Sequence, residues 1–307
     1  MERNGLRSYL EVPDLRQAIV VHFRGGLGNM LFQYFNGLAV SKRLGAPLYA
    51  IQEREYVHRS QLEPLGVRLD HISLPAPLLK RARRGRDRKL LEHLRSMLGL
   101  WLLNPVHEPH FHYWPGILET KPGSLLSGFW QSYRYFEDLP GKPLDYLDRG
   151  KMSEGIDGRL LQLAMRNDTA AVHIRRGDYL SNPSALARHG ILERSYYDAA
   201  REELLKHADI STFLVFSDEP ERAKQELGHW DNAIFVNGQN EIADLRLMSC
   251  CKHKIIANSS FSWWAATLED DSDCVVVAPR NWFAPQTLAE RNMKDLFPAH
   301  WKLVGSV

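Results

Sequence analysis

Cysteine is scarce in this chain: there are 3 in 307 residues, the neighbours Cys250-Cys251 and a lone Cys274. No CxxC spacing occurs, which argues against a disulfide framework and a zinc site and fits a reducing compartment. An excess of one charge is also missing. A formal net charge of +2 argues against a general nucleic-acid binder, which needs a strongly basic domain. No apolar run approaches the about 18 residues of a membrane span. The first 17 residues carry Glu2, Arg3, Arg7, Glu11, Asp14 and Arg16 where a signal peptide requires an apolar core. The expectation is a soluble, cytoplasmic protein, at most touching the inner face of a membrane.

What is present is an α/β rhythm. An apolar run at residues 18–23 reads as a strand, residues 24–29 as a glycine loop, and residues 30–44 as a helix. Residues 48–51 and 125–127 read as further strands. After a segment rich in Pro, Gly and Asp at 140–158, which resembles a linker, strands at 169–173, 212–216, 233–236, 254–257 and 274–278 alternate with helices at 195–207, 220–227, 240–251 and 262–268. Strands alternating with helices mean βαβ units and a parallel sheet. A boundary near residue 150 divides the chain into an N-terminal domain, 1–150, and a C-terminal domain, 151–307.

Ligands of parallel sheets bind beyond the carboxyl ends of the strands, and three polar clusters fall there. One is Val172-His173-Ile174-Arg175-Arg176-Gly177-Asp178-Tyr179, where alternation puts His173 and Arg175 on one face. Its paired guanidinium groups match phosphate oxygens, although Asp178 pairing with one arginine in a purely structural loop is the other reading. The second is Ser217-Asp218. The third, Asn258-Ser259-Ser260-Phe261, stands ahead of a helix, where hydroxyls and unpaired N–H groups meet the positive end of the helix dipole. Asp244, on the preceding helix, can accept from N1 and N2 of guanine or can simply be an exposed helix residue.

The glycine loop Arg24-Gly25-Gly26-Leu27-Gly28-Asn29 fits neither common phosphate cradle. The dinucleotide fingerprint finds Gly26 and Gly28 but Leu31 in its last place, and the loop has no Walker lysine. Close approach of its backbone to a ligand, with Asn29 presenting an amide, stands beside a plain turn.

Other features read more blandly. The basic run at 80–89 leading into 90–95 can lie on anionic lipid but is more often a solvated face. His107, His110 and His112 lack a carboxylate at ligand spacing and read as a surface loop. Asp271-Ser272-Asp273 matches a DxD metal motif but sits in an acidic turn. The aromatic stretch at 129–136 suits a sugar cleft and a core equally well.

Three stretches, taken in order, carry a resemblance: Arg24-Gly25-Gly26-Leu27-Gly28-Asn29 with Phe32-Gln33-Tyr34, His173-Ile174-Arg175-Arg176-Gly177-Asp178-Tyr179, and Asn258-Ser259-Ser260-Phe261-Ser262-Trp263-Trp264. Together they resemble the bacterial α-1,2-fucosyltransferases (glycosyltransferase family 11), over a span from about residue 18 to about residue 285. The arginine motif is shared with the wider α-1,2, α-1,6 and protein O-fucosyltransferases, and the serine-tryptophan motif points to the α-1,2 branch. Met30-Leu31 stands where that family often has Gln-Met.

The resemblance implies a GT-B-like architecture of two Rossmann-like domains with the donor site in the C-terminal one. It implies GDP-L-fucose as a substrate, a galactose-terminated glycan as acceptor, no metal or other cofactor, and inversion at the fucose anomeric carbon. The donor-binding set is then His173, Arg175, Arg176, Ser217, Asp218, Asp244, Asn258, Ser259, Ser260, Phe261, Gly26 and Gly28. Arg175, Asp178 and Asn29 are the catalytic candidates. A transferase of α-1,6 linkage and a non-catalytic nucleotide-sugar or glycan-binding module stay open as alternatives. A dinucleotide-dependent oxidoreductase is disfavoured by the broken glycine pattern.

Overall fold

The computed structural model describes residues 15–53, 62–67, 69–74, 103–177, 182–270, 273–288 and 291–305. In its first half, strands β1 (Ile19–Phe23), β2 (Leu48–Glu53), β3 (Asp70–Leu74), β4 (Asn104–His107) and β5 (Ser124–Ser127) form one sheet in the order β3-β2-β1-β5-β4. All its pairings are parallel. Helix α1 (Leu27–Leu44) joins β1 to β2. Four of the five residues of β1 are buried, as expected of a strand covered on both faces.

The second half begins with two short helices, α2 (Arg149–Met152) and α3 (Gly158–Ala164). Strands β6 (Thr169–Ile174), β7 (Thr212–Ser217), β8 (Ala233–Phe235), β9 (His253–Ile255), β10 (Val276–Pro279) and β11 (Lys302–Val304) follow, again all parallel, in the order β11-β10-β9-β6-β7-β8. Between them run α4 (Pro183–His189), α5 (Arg194–Leu205), α6 (Pro220–Leu227), α7 (Glu241–Cys250), α8 (Ser260–Thr267) and α9 (Pro285–Leu288). Read from β8, this is the doubly wound Rossmann order, whose strand sequence reverses between its first and fourth strands. Here those strands are β6 and β9. In the first sheet the same reversal lies between β1 and β5. Two Rossmann-like parallel sheets in one chain give the GT-B-like architecture expected from the sequence.

Several boundaries differ from the expected ones. Helix α1 starts at Leu27, so Gly28 and Asn29 belong to its first turn, closed by Met30 N–H to Gly26 O at 3.1 Å. Helix α8 likewise starts at Ser260 rather than 262, and β10 at Val276 rather than 274. The segment at 140–158 is ordered: it holds a 3-10 turn at Pro143–Tyr146 and α2, with Leu144 and Met152 fully buried. One apolar cluster includes these residues and runs from β1 and α1 to α8. At its centre Trp264 stacks on Phe35 (centroids 4.8 Å apart) and on Phe136 (5.2 Å), while Trp263 lies 4.4 Å from Phe32.

The three cysteines are free thiols. No helix among the described residues is long and apolar enough to cross a membrane. The basic run at 80–95 lies outside the described residues.

Candidate active site

The two reversal points face each other. A cavity of about 240 Å³ lies between the carboxyl ends of the sheets, lined from one side by Gly26, Gly28, Asn29, Phe129 and Gln131 and from the other by Arg175, Asn258, Ser259, Ser260 and Phe261. The loops after β1 and β5 supply the first set, and those after β6 and β9 the second.

Two helix N-termini converge on this space. The first N–H groups of a helix have no partner within it, and both α1 and α8 begin here without a side-chain cap. They meet backbone to backbone at Gly28, where a Cβ would stand 2.4 Å from the carbonyl carbon of Ser260 and 2.5 Å from the nitrogen of Phe261. Only glycine permits that approach. Gly26 faces open space, so its missing side chain leaves the N-terminus of α1 accessible. Gln33, one helix face along, reads the loop backbone: its Oε1 accepts from Arg24 N–H at 2.9 Å and its Nε2 donates to Arg24 O at 3.2 Å.

The adjacent arginines divide their work. Arg175 is partly exposed, lines the cavity, and pairs with Asp218 at 3.0 Å. Arg176 turns the other way into the fold, 1% exposed. Its Nε donates to Glu226 on α6 at 2.9 Å, its Nη2 to Glu226 Oε2 and to Leu192 O, and its Nη1 to Arg175 O at 2.8 Å. Arg176 does not line the cavity. It braces the loop that carries Arg175. Asp218 completes the brace, accepting from Arg176 N–H at 2.9 Å and Gly177 N–H at 3.0 Å. Ser217 Oγ accepts from Glu219 N–H at 3.1 Å, a turn contact away from the cavity. Asp178 lies outside the described residues.

His173 is buried under the ring of Phe261, with centroids 5.4 Å apart. Burial, with Arg175 and then Arg176 nearby, pushes its imidazole down to about 3, so it is neutral at physiological pH. Asn258 donates to His189 O at 2.8 Å, fixing the C-terminal end of α4 beside the cavity. Asp244 is half-buried on α7, and its Oδ1 has no hydrogen-bond partner. Burial, then the charge of Glu241, pushes its carboxyl up to about 7. Asp244 is not part of the lining, although Glu241, one turn earlier, is.

Sequence reasoning missed Arg188, His189, Glu241, Phe283 and Arg291, which also line the cavity. Arg188 and His189 sit on α4, between the expected strand and the expected helix at 195–207, where the sequence suggested no element. Phe129 and Gln131 were within sight, in the aromatic segment whose two readings the structure separates: Phe129 faces the cavity, whereas Trp130, Tyr135 and Phe136 are core. With Arg175, Arg188 and Arg291 against Glu241, the lining is cationic. Helix N-termini together with guanidinium groups suit an anion such as a diphosphate.

The DxD-like turn lies elsewhere. Its Asp273 precedes β10, at the amino end of the sheet opposite the cavity, and Asp271 and Ser272 lie outside the described residues. His110 and His112 stack on each other at 3.6 Å beyond β4. Among the described residues no group of three His, Cys, Asp or Glu is placed to hold a metal ion.

Comparison with known proteins gives these features a family. The chain is similar to an α-1,2-colitosyltransferase of Escherichia coli, 32% identical over 92% of this chain and 97% of that protein. It is also similar to the O-antigen biosynthesis glycosyltransferase WbnK of Escherichia coli, 26% identical over 88% and 96%. Among solved structures, the α-1,6-fucosyltransferase NodZ soaked with GDP-fucose matches 82% of this chain and 92% of its own at 14% identity, with a TM-score of 0.48. The model of glycosyl transferase family 11 matches residues 109–304, the stretch that carries the second sheet and both of the later motifs, and the chain belongs to that family.

Proposed function

We propose that this glycosyltransferase moves L-fucose from GDP-β-L-fucose to the 2-hydroxyl of a terminal galactose in a cell-surface glycan, with inversion and without a metal. The observation that carries the reading is the convergence of two helix N-termini and Arg175 on one cavity between the two reversal points. GDP leaves as an anion, and a transition state that builds charge on the β-phosphate is stabilised by donors already aimed at it. Arg175, held in place by Asp218, and the N–H groups opening α8 supply that field. Ser259 and Ser260 add hydroxyls at the same end.

The nucleotide lies against the second sheet, residues 151–307, its diphosphate in the cavity and its guanine reaching past the lining residue Glu241 along α7, where the unpartnered Asp244 Oδ1 is the acceptor for the N1 and N2 groups. The N-terminal half, 1–150, presents the acceptor. The galactose hydroxyl attacks from the face opposite GDP, and Asp178 is the candidate to take its proton. Asn29, whose Oδ1 already accepts from Gln131, offers its NH₂ group to the sugars.

A second reading concerns the sugar alone. The relative at 32% identity is named for transfer of colitose, which makes colitose the competing donor sugar. Incubation with GDP-fucose and with GDP-colitose against a panel of β-galactosides, with product linkage assigned by NMR, tests both. An α-1,2-fucosyl product supports the proposal. A colitosyl product alone replaces the donor, an α-1,6 product replaces the linkage, and GDP binding without any product reduces the chain to a binding module.

A further inference from the structure

The loop after β5 is held by a side chain that no reading of the reaction uses. Glu108 follows β4, extending the ladder by one bond from its N–H to Ser127 O at 3.1 Å. Its carboxylate then spans two successive amides of the neighbouring loop. Oε2 accepts from Phe129 N–H at 2.7 Å, and Oε1 accepts from Trp130 N–H at 3.0 Å. The approach is close enough to require glycine before the pair: a Cβ on Gly128 would meet Glu108 Cβ at 2.4 Å.

The backbone held in this way is strained. Trp130 has φ of +57°, the only non-glycine residue of positive φ among those described, a conformation that a bulky side chain adopts only where its surroundings hold it there. The turn separates two neighbours by function. Trp130 goes into the core, fully buried against Tyr135. Phe129 and Gln131, on either side of it, face the cavity. Gln131 then ties the loop to the first turn of α1 through Asn29 Oδ1 at 2.6 Å, and Arg24 stands 5.2 Å over the Phe129 ring.

A carboxylate is a costly way to hold a loop. Burial pushes Glu108 up to about 7, although both amides and then Arg291 and Arg24 pull it down. A neutral amide would avoid that cost, but it brings one acceptor oxygen where the carboxylate brings two, one for each of the two N–H groups.

We propose that Glu108 is a positioning residue: its carboxylate sets the left-handed turn at Trp130 and thereby aims Phe129 and Gln131 into the cavity as the wall against which the acceptor is aligned. The kinetic part rests on the transfer reaction proposed above, and the clamp itself does not.

The test uses Glu108→Ala and Glu108→Gln in the full chain. Glu108→Ala lowers kcat/KM for the acceptor by ~10²-fold, the scale of a small misplacement of reacting groups. Glu108→Gln, which keeps one carbonyl oxygen, falls between Ala and wild type. GDP affinity by calorimetry stays at the wild-type value in both, because Arg175 and α8 are untouched. A loss of GDP affinity in step with kcat/KM, or an unchanged kcat/KM, overturns the positioning role. Amide hydrogen exchange decides the clamp independently of any activity. The Phe129 and Trp130 amides must exchange faster in Glu108→Ala than in wild type while those of β1 keep their protection, and equal exchange overturns the clamp. Wild-type protein that transfers no fucose sinks the proposed function and leaves the exchange result to stand for Glu108 alone.

Discussion

A methyl group on Gly28 would stand 2.4 Å from the carbonyl carbon of Ser260, so the first turns of α1 and α8 touch through bare backbone. This contact joins the two sheets where the cavity lies. Gly28→Ala therefore forces the helix ends apart. Overpacking of this kind costs about 1–3 kcal/mol, read as a lower denaturation midpoint, and the displaced N-termini should weaken GDP binding as well. An alanine variant with wild-type stability and affinity would show that the contact yields easily.

Arg175 and Arg176 should behave as opposites despite being neighbours. Arg175→Ala lowers kcat/KM by at least ~10²-fold, the scale for losing one preorganised donor. Arg175→Lys restores part of it, keeping the charge without the fork. Apo stability moves by less than about 1 kcal/mol, because Asp218 keeps its two amide partners and the pair is solvent-screened. Arg176→Met instead leaves Glu226 without its main partner and costs about 3–5 kcal/mol of stability. Thermal melts and kinetics of both variants check the contrast, which fails if Arg175→Ala melts early.

Asp244 gives a dependence on pH whose sign is fixed by burial. Its carboxyl is raised from 3.8 to about 7 in the fold, so the folded state disfavours its charge. The stability it contributes is whole below the unfolded pKa and is lost as pH rises through about 7. Asp244→Asn removes this slope and should be more stable than wild type at pH 8. The two proteins converge below pH 4. If the carboxylate holds guanine, GDP affinity in wild type rises between pH 6 and 8, is flat in Asp244→Asn, and is about 1–3 kcal/mol weaker in Asp244→Ala. Identical pH profiles would remove Asp244 from the nucleotide site.

The proposed reaction, in which Arg175 and the helix ends carry the charge of the leaving group, should proceed in excess EDTA at its untreated rate. A collapse that Mn²⁺ restores would assign that task to a metal.

The central strands of both sheets were legible because burial on two faces makes them largely apolar runs, as at residues 18–23 and 169–173. The strands that escaped, β3, β4 and β11, are all edge strands. There one side is uncovered and the pattern is diluted, so that Asn104-Pro105-Val106-His107 looks like a loop. The polar clusters at strand ends were visible from topology alone. What was not visible is the split between adjacent arginines. Alternation already sends Arg176 away from Arg175, but its partner Glu226 stands 50 residues later on another helix. The early starts of α1 and α8 were hidden by glycine and serine, which favour loops until packing overrides them. Glu108 had no signal, because its meaning depends on a loop it meets only across β4 and β5.

Trp264 packs against both Phe35 and Phe136, with ring planes 22° and 26° from theirs, and the two phenylalanines touch each other with centroids 5.6 Å apart. A polypeptide cut between the two sheets would part Trp264 from both phenylalanines, which stay together on the first fragment, and leave large aromatic faces in water. The halves are therefore not separable building blocks. Neither can be expressed or exchanged alone for another specificity without first repairing that seam, and heating the intact chain should dissolve both sheets in a single cooperative step.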